Sequence, residues 1–418
     1  MSKTFPLNKS ELEQLVTKFP TPFYIYDEAA IRKNMQEFTK AFSIFPKFRE
    51  YYAVKACPNP HILKVLQEEG CGADCSSLPE LMLAKMTGID GKKVMFTSNE
   101  TPAEEYKFAY ENGNIINLDD FTHIEFLEQV LGKLPETICF RYNPGSEKQG
   151  CNSIIGKPEE AKYGLTRAQI IEAYGICKEK GVKHFGLHTM VASNELNPNF
   201  FVDTAKLVFE LAVEIKEKTG AVIEFVDLGG GIGIPYKPEQ KAVDYNEIAK
   251  GIRAEYDRVV VPNGLDPMEI YFECGRPITG PYGWLVTKAV HKKHIYREYV
   301  AVDACMADLM RPGMYGAYHE VTVCGKEDAP KTEVYDVVGS LCENCDKFAV
   351  QRPLPQIDIG DIVIIHDAGA HGRAMGFNYN GKLRAGELLL QCDGSVKQIR
   401  RRETIEDLFA TLDLSEFR

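Results

Sequence analysis

The stretch YYAVKACPNP, residues 51–60, decides the fold. Its apolar and aromatic run from Tyr51 to Val54 is typical of a buried strand, yet the run ends on the charged side chain of Lys55. The segment NPHILKVLQEEG that follows has apolar residues at helical spacing, opens on Asn-Pro and closes on Gly70, as helices prefer. The sequence therefore predicts a buried strand, an amine at its end, and a helix directly after it.

The same strand-and-helix unit recurs along the first two thirds of the chain. The predicted strands are YYAVK at 51, CGADC at 71, KVMFT at 93, NIINL at 114, TICFRY at 137, HFGLHTM at 184, EFVDLGGG at 224 and EIYFECG at 269. Helix-like segments, often closed by glycine, lie between them. This alternation predicts an α/β fold, a parallel (β/α)8 TIM-type barrel over residues 30–285.

The pattern changes after Trp284. The apolar runs WLVTKAV, EYVAVDA, HEVTVCG, VYDVVG, DIVIIHDAG and ELLLQCDG follow one another with turns between them rather than helices. This is typical of a mostly antiparallel β domain, which we expect over residues 286–418. The early run FYIYD at 23–27 fits no barrel position, so residues 1–29 are predicted to join the β domain.

Composition argues against several classes of function. The 418 residues carry a net charge of −11, which argues against a general nucleic-acid or membrane-surface role. The N-terminal sequence has no apolar signal-peptide core, and no stretch reaches the apolar length of a membrane span. The 12 cysteines follow no disulfide framework and are typical of reduced thiols. We therefore expect a cytoplasmic protein without nucleic-acid or membrane partners.

Chemically versatile side chains stand at the predicted ends of the barrel strands, where the active sites of such barrels lie. They are Lys55, Asp74, Ser76, Arg141, His188, the loop Gly229–Gly233, and the stretch from Glu273 to Arg276. A desolvated lysine can form a Schiff base with a carbonyl compound. A glycine loop can bind phosphate through backbone N–H groups, and a carboxylate can keep a pyridine nitrogen protonated. Together these groups predict a pyridoxal phosphate site.

Each feature alone also has a plainer interpretation. A strand-end lysine is usually a solvated charge, and DLGGGIGIP lacks the third glycine of a dinucleotide-binding loop. Cys342 and Cys345 form a C-x-x-C, but no second pair stands at zinc-ribbon spacing. His184 and His188 lack the glutamate of a zinc-protease helix, so we predict no metal site. The convergence of several strand ends is what favours a cofactor site.

The motifs, taken in order, resemble those of the fold-type III pyridoxal-phosphate-dependent decarboxylases, and among them the diaminopimelate decarboxylases. The segments that carry the resemblance are YYAVKACPNP, GADCSSLPEL, RYNPG with AKYGL, DLGGGIGIPY, ECGRPITGPYG, DLMRPGMYGAYHE, CENCD and NYNGKLRAGELLL. They run from about Phe23 to Leu390. The resemblance implies a barrel followed by a β domain, pyridoxal 5′-phosphate as cofactor, an amino-acid substrate, and a homodimer with shared active sites.

The resemblance also implies roles for single residues. Lys55 would hold the cofactor covalently, and Cys342 would be the second catalytic residue, the proton donor. The other cofactor-binding residues would be Asp74, Arg141, His188, Met190, Ser193, Gly229, Gly230, Gly231, Glu273, Arg276 and His371. The substrate would contact Arg276, Arg311, Tyr315, Glu343 and His371. Within these sets, Glu273 would pair with the pyridine nitrogen, and the CENCD element would reach into the partner subunit's site.

The chain departs from the family pattern at three places. The family's G-x-H-x-H-x-G-S is GLHTMVASN here, which puts Met190 at the second histidine and Ala192 at the glycine. Either Met190 packs on the cofactor ring, or His188 turns in to replace the missing histidine. The family's G-A-Y-G is GAHG, with His371 at the tyrosine, and residues 78–79 replace two common glycines.

A substrate with a second amino-acid end would explain an arginine in the RPGMYGAYHE motif, because arginine binds carboxylate bidentately. The expected reaction is decarboxylation of meso-2,6-diaminopimelate to L-lysine and CO2. The alternatives are a related decarboxylase of ornithine, D-lysine, arginine or carboxynorspermidine. An alanine racemase is disfavoured by Glu273, which suits a strong electron sink. A catalytically silent regulatory relative would be expected to lack Lys55 or Cys342.

Overall fold

We describe the protein from a computed structural model that covers residues 3–147, 157 and 159–417. The chain divides into two compact units. The barrel unit comprises Arg32–Ile234 and Lys241–Ile278, and the β unit comprises Met1–Ile31, Pro235–Gln240 and Thr279–Arg418. The barrel unit ends at Ile278, earlier than the predicted boundary at residue 285. The short segment Pro235–Gln240, inside the predicted barrel range, belongs to the β unit.

The strands of the described residues are, in chain order, β1 Phe23–Asp27, β2 Phe48–Ala53, β3 Gly72–Cys75, β4 Val94–Thr97, β5 Ile115–Leu118, β6 Thr137–Tyr142, β7 His184–Thr189, β8 Ile223–Asp227, β9 Glu269–Phe272, β10 Gly283–His294, β11 Glu298–Val302, β12 Val321–Val323, β13 Glu333–Val338, β14 Lys347–Leu354, β15 Ile362–Ile365, β16 Gly386–Leu390 and β17 Val396–Arg400. Strands β2 to β9 form a closed parallel barrel in sequence order, as predicted. The ring closes where β9 pairs with β2.

The α-helices of the described residues are α1 Lys9–Lys18, α2 Glu28–Phe42, α3 Pro60–Glu68, α4 Leu78–Met86, α5 Ala103–Glu111, α6 His123–Leu131, α7 Arg167–Glu179, α8 Pro198–Thr219, α9 Tyr245–Glu255, α10 Arg276–Thr279, α11 Arg311–Tyr315 and α12 Ile405–Phe409. None of them is both long and apolar enough to cross a membrane.

The first strand-and-helix unit forms for the reasons that its sequence predicts. Strand β2 ends at Ala53, and a single 3-10 turn, Val54–Ala56, carries Lys55 beyond the strand end. The side chain of Asn59 then accepts a hydrogen bond from the backbone of helix α3, which begins with proline. Gly70, with φ of +85°, ends the segment in the left-handed conformation that glycine tolerates.

The interior of the barrel contains an apolar layer. Six buried side chains from six different strands contact one another there: Tyr51, Met95, Ile115, Cys139, Phe225 and Tyr271. Because these strands are not all neighbours in the ring, such contacts are made across the interior. The prediction that the YYAV run belongs to the core is confirmed, since Tyr51 is fully buried.

The β unit is a nine-stranded, mostly antiparallel sheet in the order β14-β13-β11-β10-β1-β16-β17, with β15 and β12 branching from β10. Strand β1, the predicted FYIYD run, lies between β10 and β16. The sequence interpretation missed β14 and β17, the two ends of the main strand order. Strand β14 contains Pro353, and β17 is largely polar; edge strands tolerate both features, and both weaken the strand signal in sequence.

Gly186 on β7 offers a test of the barrel packing. A Cβ atom at this position would lie 2.0 Å from the ring of Phe225, which is stacked on Tyr271 in the apolar layer. Gly186→Ala should therefore lower the free energy of unfolding by about 1–3 kcal/mol, measured by urea titration with circular dichroism.

Gly175→Ala is the matched control. Gly175 lies in helix α7, and a Cβ there would meet the Thr219 methyl at an ordinary 3.7 Å. Since alanine favours helices, this variant should be as stable as the wild type or more stable by about 0.5–1 kcal/mol. Equal unfolding curves for the two variants would contradict the packing described here.

Candidate active site

A buried polar layer lies beside the apolar layer of the barrel, toward the carboxyl ends of the strands. Side chains two residues apart on a strand point to the same face, and five of the six apolar residues are followed two positions later by a buried polar one. The pairs are Met95 and Thr97, Ile115 and Asn117, Cys139 and Arg141, Phe225 and Asp227, and Tyr271 and Glu273. The alternation of the strands therefore assembles the polar groups at one end of the barrel.

Lys55 faces this layer from the turn after β2. Its Nζ atom lies 3.2 Å from Oδ2 of Asp74, at the end of β3, and its side chain is 53% exposed. Asp74, followed by burial and Glu273, sets the pKa of Lys55, and the net direction is upward. The ion pair with Asp74 therefore favours the charged form of the amine and orients it, against the opposing effect of burial.

Glu273 and His188 form a buried hydrogen-bonded pair inside the barrel. Nε2 of His188 lies 3.0 Å from Oε2 of Glu273, and both side chains are almost fully buried. Burial would raise the pKa of Glu273, but His188 and Lys55 beside it hold that pKa below its ordinary value. Glu273 therefore stays ionised in the interior, where it can bind a cationic N–H group.

Two further buried carboxylates lie close to this pair. Burial, together with Glu273, raises the pKa of Asp74 to about 7 and raises the pKa of Asp227 well above its usual value. His188, Asp227 and Glu273 place ligand atoms within 4.8 Å of one another, an arrangement that suits a cation. The layer thus gathers three buried carboxyl groups around a few basic groups.

The glycine loop packs tightly against the chain that leaves β7. Cβ atoms at Gly229, Gly230 and Gly231 would lie 2.2–2.4 Å from the carbonyl oxygens of Thr189, Glu273 and Ala192, in that order. Gly229 and Gly231 also have positive φ values, +69° and +91°. Only glycine fits this close approach.

Met190 contacts the same loop. The N–H of Gly230 lies 3.1 Å from the Met190 thioether sulfur, and the N–H of Gly229 donates to Asp227 at 2.8 Å. His188, the other candidate for the missing ring-stacking histidine, is bound to Glu273. The departure from the family pattern directly after β7 therefore places a thioether against the glycine loop.

Arg141 ends β6 beside two partners within the barrel unit. Its guanidinium lies 4.3 Å from the ring centroid of Tyr163, and its Nη1 lies 3.6 Å from Oδ1 of Asp119. Burial lowers the pKa of Arg141 from its usual value. Ser193 follows β7 and Arg276 starts α10, and both are buried, so the predicted barrel residues all lie at or near the carboxyl ends of strands.

The remaining predicted residues lie in the β unit. Arg311 begins helix α11 and is buried, whereas Tyr315, one helical turn later, is 46% exposed. Cys342 and Glu343 are exposed in a loop after β13, and His371, with φ of +54°, is half-buried after β15. The predicted site residues thus lie in both units.

The CENCD loop is held by its last residue. Asp346 is buried and accepts hydrogen bonds from the backbone N–H groups of Met306 and Leu341, at 2.7 and 2.8 Å. A side chain at Gly339 would collide with its carboxylate. One buried aspartate therefore fixes the backbone of a loop that leaves Cys342 and Glu343 accessible.

Sequence reasoning missed several members of the polar layer. Asp227, Asn117 and Thr97 were not predicted, although Asn117 donates to Thr97 at 3.1 Å and Thr97 donates to Glu273 at 3.5 Å. The signal that could have found them is period-two alternation: each stands two positions after a core residue of its strand. Asp227 also directly precedes the glycine motif.

The residues present fit a pyridoxal phosphate group. Among the described residues, no donor reaches Oδ1 of Asp74 or Oδ1 of Asn117, although both atoms are buried. Unsatisfied buried acceptors beside an ionised Glu273 favour a cationic ring with its own N–H donor. The accessible Lys55 amine suits the aldehyde of the same group.

Comparisons with known proteins agree with this chemistry. Residues 28–280 match the family model for the pyridoxal-binding domain of pyridoxal-dependent decarboxylases. The chain is 42% identical to Protein TabA of Pseudomonas amygdali pv. tabaci, over 97% of this chain and 93% of that protein. It is 34% identical to the diaminopimelate decarboxylase of Methanothermobacter thermautotrophicus, over 94% and 92% of the two chains.

A solved structure shares the whole architecture. The diaminopimelate decarboxylase of M. jannaschii in complex with L-lysine aligns with a TM-score of 0.88 at 31% identity, covering 96% of this chain and 94% of that one. The protein is therefore a decarboxylase of amino acids with pyridoxal 5′-phosphate as its cofactor. By family model, sequence and architecture, the chain belongs to the fold-type III pyridoxal-phosphate-dependent decarboxylases, the family that includes the diaminopimelate decarboxylases.

Proposed function

We propose that this protein decarboxylates meso-2,6-diaminopimelate to L-lysine and CO2. Relatives named diaminopimelate decarboxylase are 34% identical to this chain over 94% and 97% of its length. One solved relative was crystallised with L-lysine. In the reaction, the bond from Cα to one carboxylate breaks, its electron pair stays at Cα, and a proton replaces CO2. The second amino-acid end of the substrate is unchanged.

The observation that carries this proposal is the helical turn Arg311–Tyr315. Residues at i and i+4 lie on the same face of a helix, so Arg311 and Tyr315 share one face of α11. The guanidinium of Arg311 is also positioned 5.4 Å from the ring centroid of Tyr236. A guanidinium and a phenol carried on one helix face suit a carboxylate as ligand. Diaminopimelate keeps such a carboxylate at its distal end, and ornithine lacks it.

We assign the barrel residues to the cofactor as follows. When bound, pyridoxal phosphate supplies an electron-poor ring that takes up the electron pair left at Cα. Lys55 would attach the cofactor, with Asp74 orienting its amine. Glu273, paired with His188, would hold a proton at the pyridine nitrogen. Met190 would line the ring in place of the absent histidine.

We assign the phosphate end of the cofactor to Gly229–Gly231, Ser193, Arg276 and His371. The Gly230 N–H now donates to a thioether sulfur, which is a weak acceptor, so a phosphate oxygen would be a stronger partner for it. Arg141, a buried member of the polar layer, would lie near the pyridine end of the cofactor. Arg276 and His371 would also border the substrate.

We assign protonation of Cα to the Cys342 thiol, with Glu343 beside it at the substrate. Both are exposed on a loop whose backbone is fixed by Asp346, as residues that act across a subunit interface would be. This supports a homodimer in which the loop completes the partner subunit's site. A cytoplasmic location stays a prediction.

A second candidate is decarboxylation of a different diamino acid that also keeps a distal carboxylate. The observation that favours it is the 42% identity to Protein TabA, which carries a different name, together with Met190 and His371 at two family motifs. Both candidates use the same barrel chemistry and differ only in the substrate that Arg311 receives.

A substrate panel tests the proposal. We expect CO2 and L-lysine from meso-diaminopimelate, and turnover at least about a hundredfold lower with ornithine, D-lysine, arginine and carboxynorspermidine, because these lack a distal carboxylate for Arg311. Products are identified by mass spectrometry. Arg311→Met should raise the KM for diaminopimelate more than tenfold, while Arg401→Met, a change at an exposed ion pair, should not.

Turnover of any of those four substrates in preference to diaminopimelate would contradict the proposed activity. So would an Arg311→Met variant with an unchanged KM. Turnover of a different dicarboxylic diamino acid, together with the Arg311 effect, would select the second candidate.

The ion pair at Lys55 gives a pH prediction. Because Asp74 is the main cause of the raised pKa of Lys55, Asp74→Asn should lower that pKa. The neutral amine is the reactive form, so the pH at which the apoprotein captures pyridoxal phosphate at half its maximal rate should move down. Capture is followed by absorbance, with Lys55→Ala as the blank.

Asp257→Asn is the matched control, since Asp257 is exposed and pairs with Arg253 on the outside of the barrel. Its capture profile should coincide with that of the wild type. An unchanged or upward midpoint for Asp74→Asn would show that the Asp74 carboxylate does not hold the charge on Lys55.

A further inference from the structure

Lys3, in the segment that precedes helix α1, is anchored inside the β unit. Its Nζ atom lies 2.8 Å from the carbonyl oxygen of Pro235 and 3.0 Å from each carboxylate oxygen of Asp367. The Lys3 side chain is 23% exposed and that of Asp367 is 1% exposed. A lysine near the chain terminus thus makes charge-assisted contacts with two distant parts of the sequence.

Asp367 begins the loop that carries His371. Asp367 and His371 both have left-handed backbone conformations, with φ of +55° and +54°, which cost free energy unless the surroundings hold them. The middle of the loop is held by hydrogen bonds from the N–H groups of Ala368 and Gly369 to the carbonyls of Gly283 and Gly280. Lys3 holds the start of the loop through the Asp367 carboxylate.

The buried Asp367 carboxylate needs a cationic partner. Burial raises the pKa of Asp367 to about 6, and Lys3 opposes that rise. Glu320 is the other charged group that acts on Asp367 in the described structure, and it acts in the opposite sense. Lys3 is therefore the group that makes an ionised carboxylate tolerable at the start of this loop.

Pro235, the other partner of Lys3, directly follows the glycine motif GGGIGI in the chain. Its carbonyl oxygen receives the Lys3 ammonium at 2.8 Å. The Lys3 ammonium group thus ties Pro235 to Asp367, at the start of the His371 loop, and both partners lie in the β unit.

We propose that Lys3 is a positioning residue for the phosphate end of the cofactor. It does not touch the phosphate; it fixes the backbone at Asp367 and Pro235, both in the β unit, so that the His371 loop keeps the conformation that binding needs. The inference rests on the proposed assignment of His371 to the phosphate.

The test compares two cofactor forms that differ only in the phosphate. Apoprotein is titrated with pyridoxal 5′-phosphate and with pyridoxal, and binding is followed by absorbance. Lys3→Met should weaken pyridoxal phosphate roughly tenfold and leave pyridoxal within about twofold, because only the phosphate site is disturbed. Lys3→Arg should restore most of the affinity, since arginine keeps the charge and the donors.

Lys9→Met is the matched control. Lys9 belongs to the same end of the chain, but its side chain is 60% exposed and its partner Glu13 lies 3.9 Å away. It should bind both ligands like the wild type. Asp367→Asn keeps the shape of the partner and should reproduce the phosphate-specific loss, which covers the case in which Lys3→Met folds poorly.

Wild-type affinity for pyridoxal phosphate in Lys3→Met would overturn the proposal, and so would an equal loss for both ligands, which would indicate a general structural role. Failure of the underlying phosphate assignment has a separate signature. In that case His371→Ala would bind pyridoxal phosphate as tightly as the wild type. This result would overturn the positioning role of Lys3 as well.

Discussion

The structure depends on one constraint: in a closed parallel barrel, alternate residues of every strand point into the same interior. Each strand that supplies an apolar side chain to the core therefore supplies, two residues later, the side chain beside it. In this chain five of those second side chains are polar: Thr97, Asn117, Arg141, Asp227 and Glu273. The active site is thus a continuation of the folding core, and a change in strand register would displace both layers at once.

The electrostatics of the polar layer follow from that placement. Several carboxylates are brought into a region with little water, where burial and mutual repulsion raise the pKa values of Asp74 and Asp227. Glu273 differs because His188 donates directly to it, and its pKa lies below the ordinary value. One carboxylate whose pKa stays low, beside neighbours whose pKa values are raised, suits a cationic ring nitrogen.

Much of this could be predicted from the sequence, and the remainder could not for physical reasons. The eight barrel strands were predictable because apolar runs and glycine-closed helices alternate so regularly. Strand β14 was missed because a proline is tolerated only at an edge, and edge position is not visible in the sequence. The ion pair of Lys55 could not be predicted, since it depends on a turn after the strand and on the carboxylate of Asp74, which reaches Lys55 only in the fold. The contact of Met190 with the glycine loop likewise depends on how β7 and β8 pack.

The central claim is that Lys55 is the amine to which the cofactor is attached. Reduction of the holoprotein with borohydride, followed by digestion and mass spectrometry, fixes the cofactor to its lysine and locates it. We predict a single pyridoxyl label per chain, on the peptide that contains Lys55, and none in Lys55→Ala. A label on another lysine, or an unlabelled Lys55 in active enzyme, would contradict the account.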